Sequence, residues 1–360
     1  MPTKQNLATA NVSLQSYRDS INVALEKFFS DLPALLDLDL SQQSLDALEK
    51  IREYTLRPGK RIRGLLASFA YDYATKQQYG TAGIQAAVAL ELVQSYLLIV
   101  DDVMDRSDVR RGLPTVHQLY LAEQAEGEKD LHLANMLAVN TGLVAQHLVN
   151  IVLADIHEDP ACVQQAVYTL HRNIAATGFG QIDDAFQQVG KPFTEADILR
   201  KYQMKSSYYT FVNPLQIGLL LGGVIDKNVL TEIEDFGLAA GIAFQLKDDL
   251  LGVFGESETT GKPNTDDIEE GKYTLLIQYA IEHAKTDEVT YLKKTLGTPE
   301  VSSERVQAIL KTSGAKQYVE DTIMLYADKA HQAMTKNNFW DAAAKDMLIG
   351  IVEYSINRKR

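Results

Sequence analysis

The 360 residues are 46% hydrophobic, enough for a sizeable core, and their net charge of −13 has the wrong sign for nucleic acid. The acids are spread along the chain, no basic stripe with interleaved aromatics occurs, and the single Cys162 excludes an internal disulfide and fits a reducing cytosol. Met1 to Ser20 lack the apolar centre of a signal peptide. The longest apolar stretch, 214–225, reads as too short and too glycine-interrupted to span a bilayer. A cytoplasmic protein without a transmembrane segment is expected.

Helical periodicity dominates. Residues 1–20 are polar and are expected to form a flexible or partner-docking arm. Leu45, Leu48, Ile51 and Tyr54 keep a three/four spacing, as do Ala87, Leu90, Val93 and Leu97. No alternating strand with a hairpin signal is found. Pro58, Pro114, Pro160, Pro192, Pro263 and Pro299 fall at breaks, and loops are expected at 57–60, 106–114, 125–129, 189–194, 255–271 and 297–303. The expectation is an all-α chain of ten or more helices, one domain over 1–360.

Two aspartate clusters carry the chemistry. Asp101, Asp102 and Asp105 follow the apolar run 96–100, and Asp248 and Asp249 follow 239–246. Carboxylates reached through apolar helix are expensive to bury without compensating positive charge. If the two clusters face each other they can hold hard divalent cations, which normally grip phosphate on their other side. On a helix Asp101 and Asp105 share a face, while Asp102 points about 100° away and suits a supporting role. Arg110 and Arg111 lie in a loop just beyond, suited to bidentate phosphate contacts. Upstream, the turn Pro58-Gly59-Lys60-Arg61-Ile62-Arg63 brings three cations to a helix start, where anions bind readily. Each element alone is commonly a solvated face; three in one chain point to an enzyme acting on a diphosphate.

The strings GKRIR, DDVMDRSDVRRG, FQLKDDLLGVFG and GKPNTDDIEEGK, in this order, resemble the trans-isoprenyl diphosphate synthases (polyprenyl synthetases) of short-chain type. The resemblance implies the isoprenoid synthase fold, a large helical bundle around a deep central cavity, and a homodimer. It implies condensation of isopentenyl diphosphate with an allylic diphosphate, assisted by three magnesium ions. By position, Asp101 and Asp105 would coordinate two ions and Asp248 the third, with Asp102 and Asp249 in support. Lys205, Lys262 and Arg110 would hold the allylic diphosphate, joined by Lys272 as its loop closes. Gly59, Lys60, Arg63, Gln94 and Arg111 would cradle isopentenyl diphosphate. Gln181 and Asp184 match a Gly-Gln-x-x-Asp segment in the cavity, and Ser206 with Gln245 would flank the allylic carbon. Gly252 stands where the family usually has the last aspartate of the second motif, Gln94 where bacterial members have a histidine, and Ser206 where threonine is usual.

Tyr96 and Leu97 occupy the positions that would floor the tail tunnel, implying geranylgeranyl or farnesyl diphosphate as product. A helical wheel puts Leu97 and Gln94 nearer the aspartate face, which leaves Tyr96 open as an ordinary core aromatic. His117, His132, His147, His157 and His171 lack metal-ligand spacing and read as structural or exposed. A class I terpene cyclase shares the first motif, but it needs no isopentenyl site and usually carries an Asn/Ser/Glu triad in place of Asp248-Asp249. A non-catalytic subunit of a heteromeric synthase, favoured only by Gly252, and a helical metal-binding scaffold are the remaining readings.

Overall fold

The computed structural model describes residues 4–187, 193–255, 268, 270–298 and 300–358, with side chains from residue 14 onward except at 187. These residues are overwhelmingly helical, as expected. The chain divides into two compact units: an N-terminal one, Val12–Val167 with Ile217–Val224, and a C-terminal one, Met1–Asn11 with Tyr168–Gln216 and Ile225–Arg360.

The N-terminal unit is built from most of α1 (Lys4–Leu36), α2 (Gln42–Leu56), α3 (Ile62–Thr75), α4 (Thr81–Met104), α5 (Val116–Glu123) and α6 (Leu131–Ala154). The segment 1–20 is helical from Lys4 onward, and α1 buries Tyr17, Ile21, Leu25, Phe29 and Leu32, a stripe at helical spacing. The Tyr17 hydroxyl donates to Asp72 on α3 at 2.8 Å. The core of the unit is α4, which packs against both α3 and α6 and is apolar around most of its circumference.

By length and composition, α4 and α6, at 24 residues each, are apolar enough to cross a membrane, so 214–225 is not the longest apolar element. Glu91, Gln94 and Ser95 interrupt the run in α4, and two of them are buried with partners. Glu91 accepts from Arg61, and Ser95 from Thr55. In α4 67% of the most apolar window lies inside the protein, which marks a core helix; in α6 the share is 44%.

A two-residue hairpin, Val109–Arg110 against Leu113–Pro114, occupies what reads as an open loop. Its turn residues Arg111 and Gly112 have φ of +56° and +76°, the pattern of a type I′ turn. Asn, Asp and Gly normally signal that turn, so Arg-Gly hides it.

The C-terminal unit takes in most of α7 (Pro160–Gln187), then α8 (Glu195–Tyr202), a π-helix (Gln203–Val212), the start of α9 (Asn213–Leu221) and α10 (Lys227–Phe254). It closes with α11 (Leu275–His283), α12 (Thr286–Thr295), α13 (Ser303–Thr312), α14 (Ala315–Lys336) and α15 (Ala342–Asn357). Its axis is α10, which buries Phe236, Ile242, Leu246 and Leu250 and packs against the π-helix, α14 and α15. The i→i+5 winding persists to its end, where the Asn213 N–H donates to the Tyr208 carbonyl. Wide winding of this kind is uncommon and gathers at functional sites. Here it carries Lys205 and Ser206.

Candidate active site

Both aspartate pairs stand near the C-terminal ends of long apolar helices, where the helix dipole and unsatisfied carbonyls already make the environment negative. Acids are unfavourable there unless cations accompany them. In the N-terminal unit the cation is Arg110. Its Nε donates to Asp102 at 2.5 Å, and its Nη2 lies 3.7 Å from Asp101. Burial works against the Arg110 charge, but Asp102, Tyr54 and Asp101 outweigh it and hold the guanidinium above its ordinary range. Asp102 is wholly buried and takes a second hydrogen bond, at 2.6 Å, from the Tyr54 hydroxyl. Asp101 and Asp105 are half-buried, with the Asp105 N–H closing the last turn of α4 onto the Asp101 carbonyl at 2.8 Å.

The hairpin bearing Arg110 is fastened by Arg57, a residue the sequence reading passed over. The residue is 3% exposed, and its guanidinium donates to the carbonyl of Pro114 at 2.7 Å and pairs with Glu53 through two nitrogens. The adjoining Pro58 and Gly59 are the stronger local signal, and they mark the turn rather than Arg57. Arg111 returns to the same turn. Its Nη1 donates to the Arg57 carbonyl at 3.2 Å, and a Cβ placed on Gly59 would come within 3.0 Å of that nitrogen. Gly59 and Arg111, two members of the isopentenyl set, are thus brought together.

Of the three cations read in that turn, Arg61 is a correction. It points inward, 5% exposed, and pairs with buried Glu91 at 3.0 Å, so it braces α3 on α4. Lys60 is half-buried, Arg63 is buried in the first turn of α3, and Gln94 is half-buried one turn beyond Glu91. Arg61, Arg106 and Arg111 all have φ between +53° and +56°. Such left-handed non-glycine residues cost about 1–3 kcal/mol each and collect where a surrounding framework enforces them, commonly at functional sites.

In the C-terminal unit Asp249 is buried and doubly bonded, like Asp102. The Tyr202 hydroxyl donates to one oxygen and Gln245 Nε2 to the other at 2.8 Å. Gln245 in turn accepts from Ser206 Oγ at 2.6 Å, so Ser206, Gln245 and Asp249 form one chain of hydrogen bonds. The Tyr202 hydroxyl also accepts from the Leu275 N–H at 3.2 Å. Asp248 keeps a side chain 42% exposed and pairs with Arg358, whose guanidinium lies 4.1 Å over the Phe244 ring. Asp184 lies between two lysines, Lys201 at 2.8 Å and Lys205 at 2.6 Å. Gln181 is half-buried, and Lys272 pairs with Glu270 at 2.6 Å. Lys262 lies outside the described residues. Tyr202 and Lys201 were missed, although Lys201 stands one turn before Lys205.

Tyr202→Phe is expected to destabilise the fold by about 1–3 kcal/mol, the scale for removing a buried hydroxyl that bonds both the Asp249 carboxylate and the Leu275 N–H. Denaturant unfolding measures it; a loss under about 0.5 kcal/mol, the range of an inconsequential surface change, would remove the tyrosine as a support.

Among the described residues no group of three or more His, Cys, Asp or Glu side chains is arranged to hold a metal by itself. Magnesium keeps water and takes one or two carboxylates, the rest of its ligands coming from substrate phosphates. Asp101 and Asp105 on one helix turn, and Asp248, are hard oxygen donors of that kind.

A family model described as Polyprenyl synthetase matches residues 45–313. The chain is 28% identical to geranylgeranyl diphosphate synthase of Methanosarcina mazei over 92% of this chain and 95% of that one. It is 29% identical to geranylfarnesyl diphosphate synthase of Aeropyrum pernix, covering 83% and 90%. A crystal structure of geranylgeranyl pyrophosphate synthase from Corynebacterium glutamicum, complexed with isoprenyl diphosphate and magnesium, superimposes with a TM-score of 0.88 at 27% identity, covering 96% of this chain and 99% of that one.

Proposed function

This chain belongs to the polyprenyl synthetase family and is a trans-prenyltransferase, and from that premise we propose how its residues join isopentenyl diphosphate head to tail to an allylic diphosphate. The observation that carries the reading is the matched pair of acidic helix ends. In each, the second aspartate is tied down by a tyrosine, and the first stands more open.

Magnesium, when bound, stabilises the departing diphosphate electrostatically. We assign Asp101 and Asp105 to two ions and Asp248 to a third, with Asp102 and Asp249 fixed as supports. Arg110 and Lys205 hold the allylic diphosphate with Lys272, and with Lys262 by resemblance alone. Gly59, Lys60, Arg63, Gln94 and Arg111 hold isopentenyl diphosphate. Preorganised cations of this sort favour ionisation of an allylic C–O bond, because they already surround the charge that develops. By resemblance, the hydrogen-bonded Ser206–Gln245 pair flanks the carbon that becomes positive, with Gln181 and Asp184 assigned to the same cavity. The alkene then attacks, and the proton lost goes to the departing diphosphate. A dry pocket keeps water from the cation.

The product is geranylgeranyl or farnesyl diphosphate, with Tyr96 or Leu97 as the floor. Tyr96 is buried, and desolvation alone pushes its hydroxyl pKa up, with no hydrogen bond or charge contributing. Leu97 is half-buried on the face shared with Gln94 and Asp101. Tyr96→Ala is expected to lengthen the product, read by chromatography of the dephosphorylated alcohols; an unchanged product would leave Leu97 as the floor.

The chain is proposed to act as a cytoplasmic homodimer. Support comes from α6, where Leu133, Met136, Leu137, Leu143 and Val144 form an exposed apolar stripe at helical spacing. Contiguous apolar surface of this kind marks a protein interface.

The reading is tested by incubating the protein with magnesium, isopentenyl diphosphate and geranyl diphosphate. A longer prenyl diphosphate is expected. Release of a hydrocarbon would instead indicate a cyclase, and absence of turnover a non-catalytic subunit.

A further inference from the structure

Arg110 and Arg111 are neighbours on one short hairpin, yet their guanidinium groups are fixed by different means. Arg110 is held from α4, where Asp102 accepts from its Nε and Asp101 lies 3.7 Å from its Nη2. Arg111 is exposed at the turn, and its Nη1 donates to the Arg57 carbonyl at 3.2 Å. That carbonyl is held from another side by Arg61, whose Nη2 donates to it at 3.2 Å while Nη1 pairs with buried Glu91. The hairpin itself is tied to this turn by the Arg57 side chain. Its Nη2 donates to the Pro114 carbonyl at 2.7 Å and its Nη1 to the Arg110 carbonyl at 3.4 Å, one on each strand. Glu53 takes two hydrogen bonds from the same guanidinium, so the pair carries no net charge.

We propose that Arg57 is a positioning residue for isopentenyl diphosphate: it clamps both strands of the hairpin to the turn, so that Arg111 is ordered before the substrate arrives. This rests on the assignment of Arg111 to isopentenyl diphosphate. A long side chain on an exposed turn samples many rotamers, and freezing them on binding weakens affinity. The clamp makes that ordering part of folding instead. Arg110 does not depend on it, because the carboxylates of α4 hold its guanidinium directly. One hairpin therefore serves two substrates, and Arg57 acts on one of them.

The test is steady-state kinetics of the full-length protein with magnesium, varying isopentenyl diphosphate and geranyl diphosphate in turn. Arg57→Met with Glu53→Gln removes the clamp and keeps the net charge of the pair at zero. Methionine keeps an unbranched stem beside the Tyr54 ring, over which Arg57 Cζ lies at 4.7 Å. The double variant is expected to raise KM for isopentenyl diphosphate about tenfold, or about 1.4 kcal/mol, with kcat and KM for geranyl diphosphate within about twofold. A loss of folded protein would instead lower kcat and leave both KM values in place. Arg57→Lys keeps the charge beside Glu53 but not the planar fork, and should show the same pattern at about threefold or more. It carries the test if the double variant does not fold.

An unchanged KM for isopentenyl diphosphate in these variants, or equal rises for the two substrates, would overturn the inference. So would a rise in Arg57→Met alone that adding Glu53→Gln reverses, because that marks the charge of an unpaired glutamate and not a clamp. Arg111→Met separates the two levels. If its KM for isopentenyl diphosphate is that of the wild type, the assignment of Arg111 falls and this inference with it. If that KM rises while the Arg57 variants keep theirs, only the inference about Arg57 fails.

Discussion

Asp101→Ala is expected to lower turnover by about a hundred- to a thousandfold, the scale seen when one preorganised electrostatic element is removed from a site. No neighbour can replace it. Asp102 is wholly buried and committed to Arg110 and Tyr54, so it cannot swing outward without leaving that guanidinium unpaired. Asp105, at the end of α4, is assigned a separate oxygen and does not take the place of Asp101. Losing Asp101 also strips Arg110 of one of its two acidic neighbours, but Asp102 still holds its guanidinium and Arg57 still fastens the hairpin. The fold should survive, because the Asp101 side chain is 21% exposed and makes no buried core contact of the kind Leu90 or Leu92 does. Single-turnover kinetics on a variant with an unchanged unfolding midpoint measures the loss. Retained activity would remove Asp101 from the metal role.

A second large effect concerns the π-helix. In an exposed helix interior, glycine to alanine normally stabilises by roughly 0.5–1 kcal/mol. At Gly180 the sign should reverse, because a Cβ there would lie 2.4 Å from the Lys205 amide nitrogen and 2.8 Å from its Cα. Those are backbone atoms, so the π-helix itself must move. Gly180→Ala is expected to cost about 2 kcal/mol or more, within the upper range for overpacking, and to displace Lys205 and Ser206. Gly178, on the same helix, is the internal control, with nothing within 4 Å of its added Cβ. Gly178→Ala should be neutral or stabilising. Gly241 repeats the argument from α10, since its Cβ would lie 2.3 Å from Ser207 Cα. Equal unfolding midpoints for Gly178→Ala and Gly180→Ala would show that α7 does not constrain the π-helix.

What could be read from the sequence follows from the range over which each signal acts. Helical periodicity and the motif strings are local, so the all-α class, the acidic helices and the basic turn were legible. Their partners were not. Tyr54 and Asp102 are 48 residues apart, and Tyr202 and Asp249 are 47 apart, and no local pattern links them. The same holds for Arg358 on Asp248, and for Arg61, whose Glu91 lies 30 residues away. The π-helix was hidden for another reason. It depends on glycines in α7 and α10 that allow close approach of its backbone, while its own residues look helical. The apolar length of α4 was misjudged because buried polar residues with partners break the run on paper without breaking it in the core.

The account stands on both acidic pairs serving the same magnesium-bound diphosphate. Calorimetry of inorganic pyrophosphate with magnesium, on the wild type, Asp101→Ala, Asp248→Ala and the double variant, tests that most directly. Each single variant is expected to bind about tenfold or more weakly, and the double to fall short of the product of the two, because the groups share one ligand. Wild-type affinity in either single variant would contradict it.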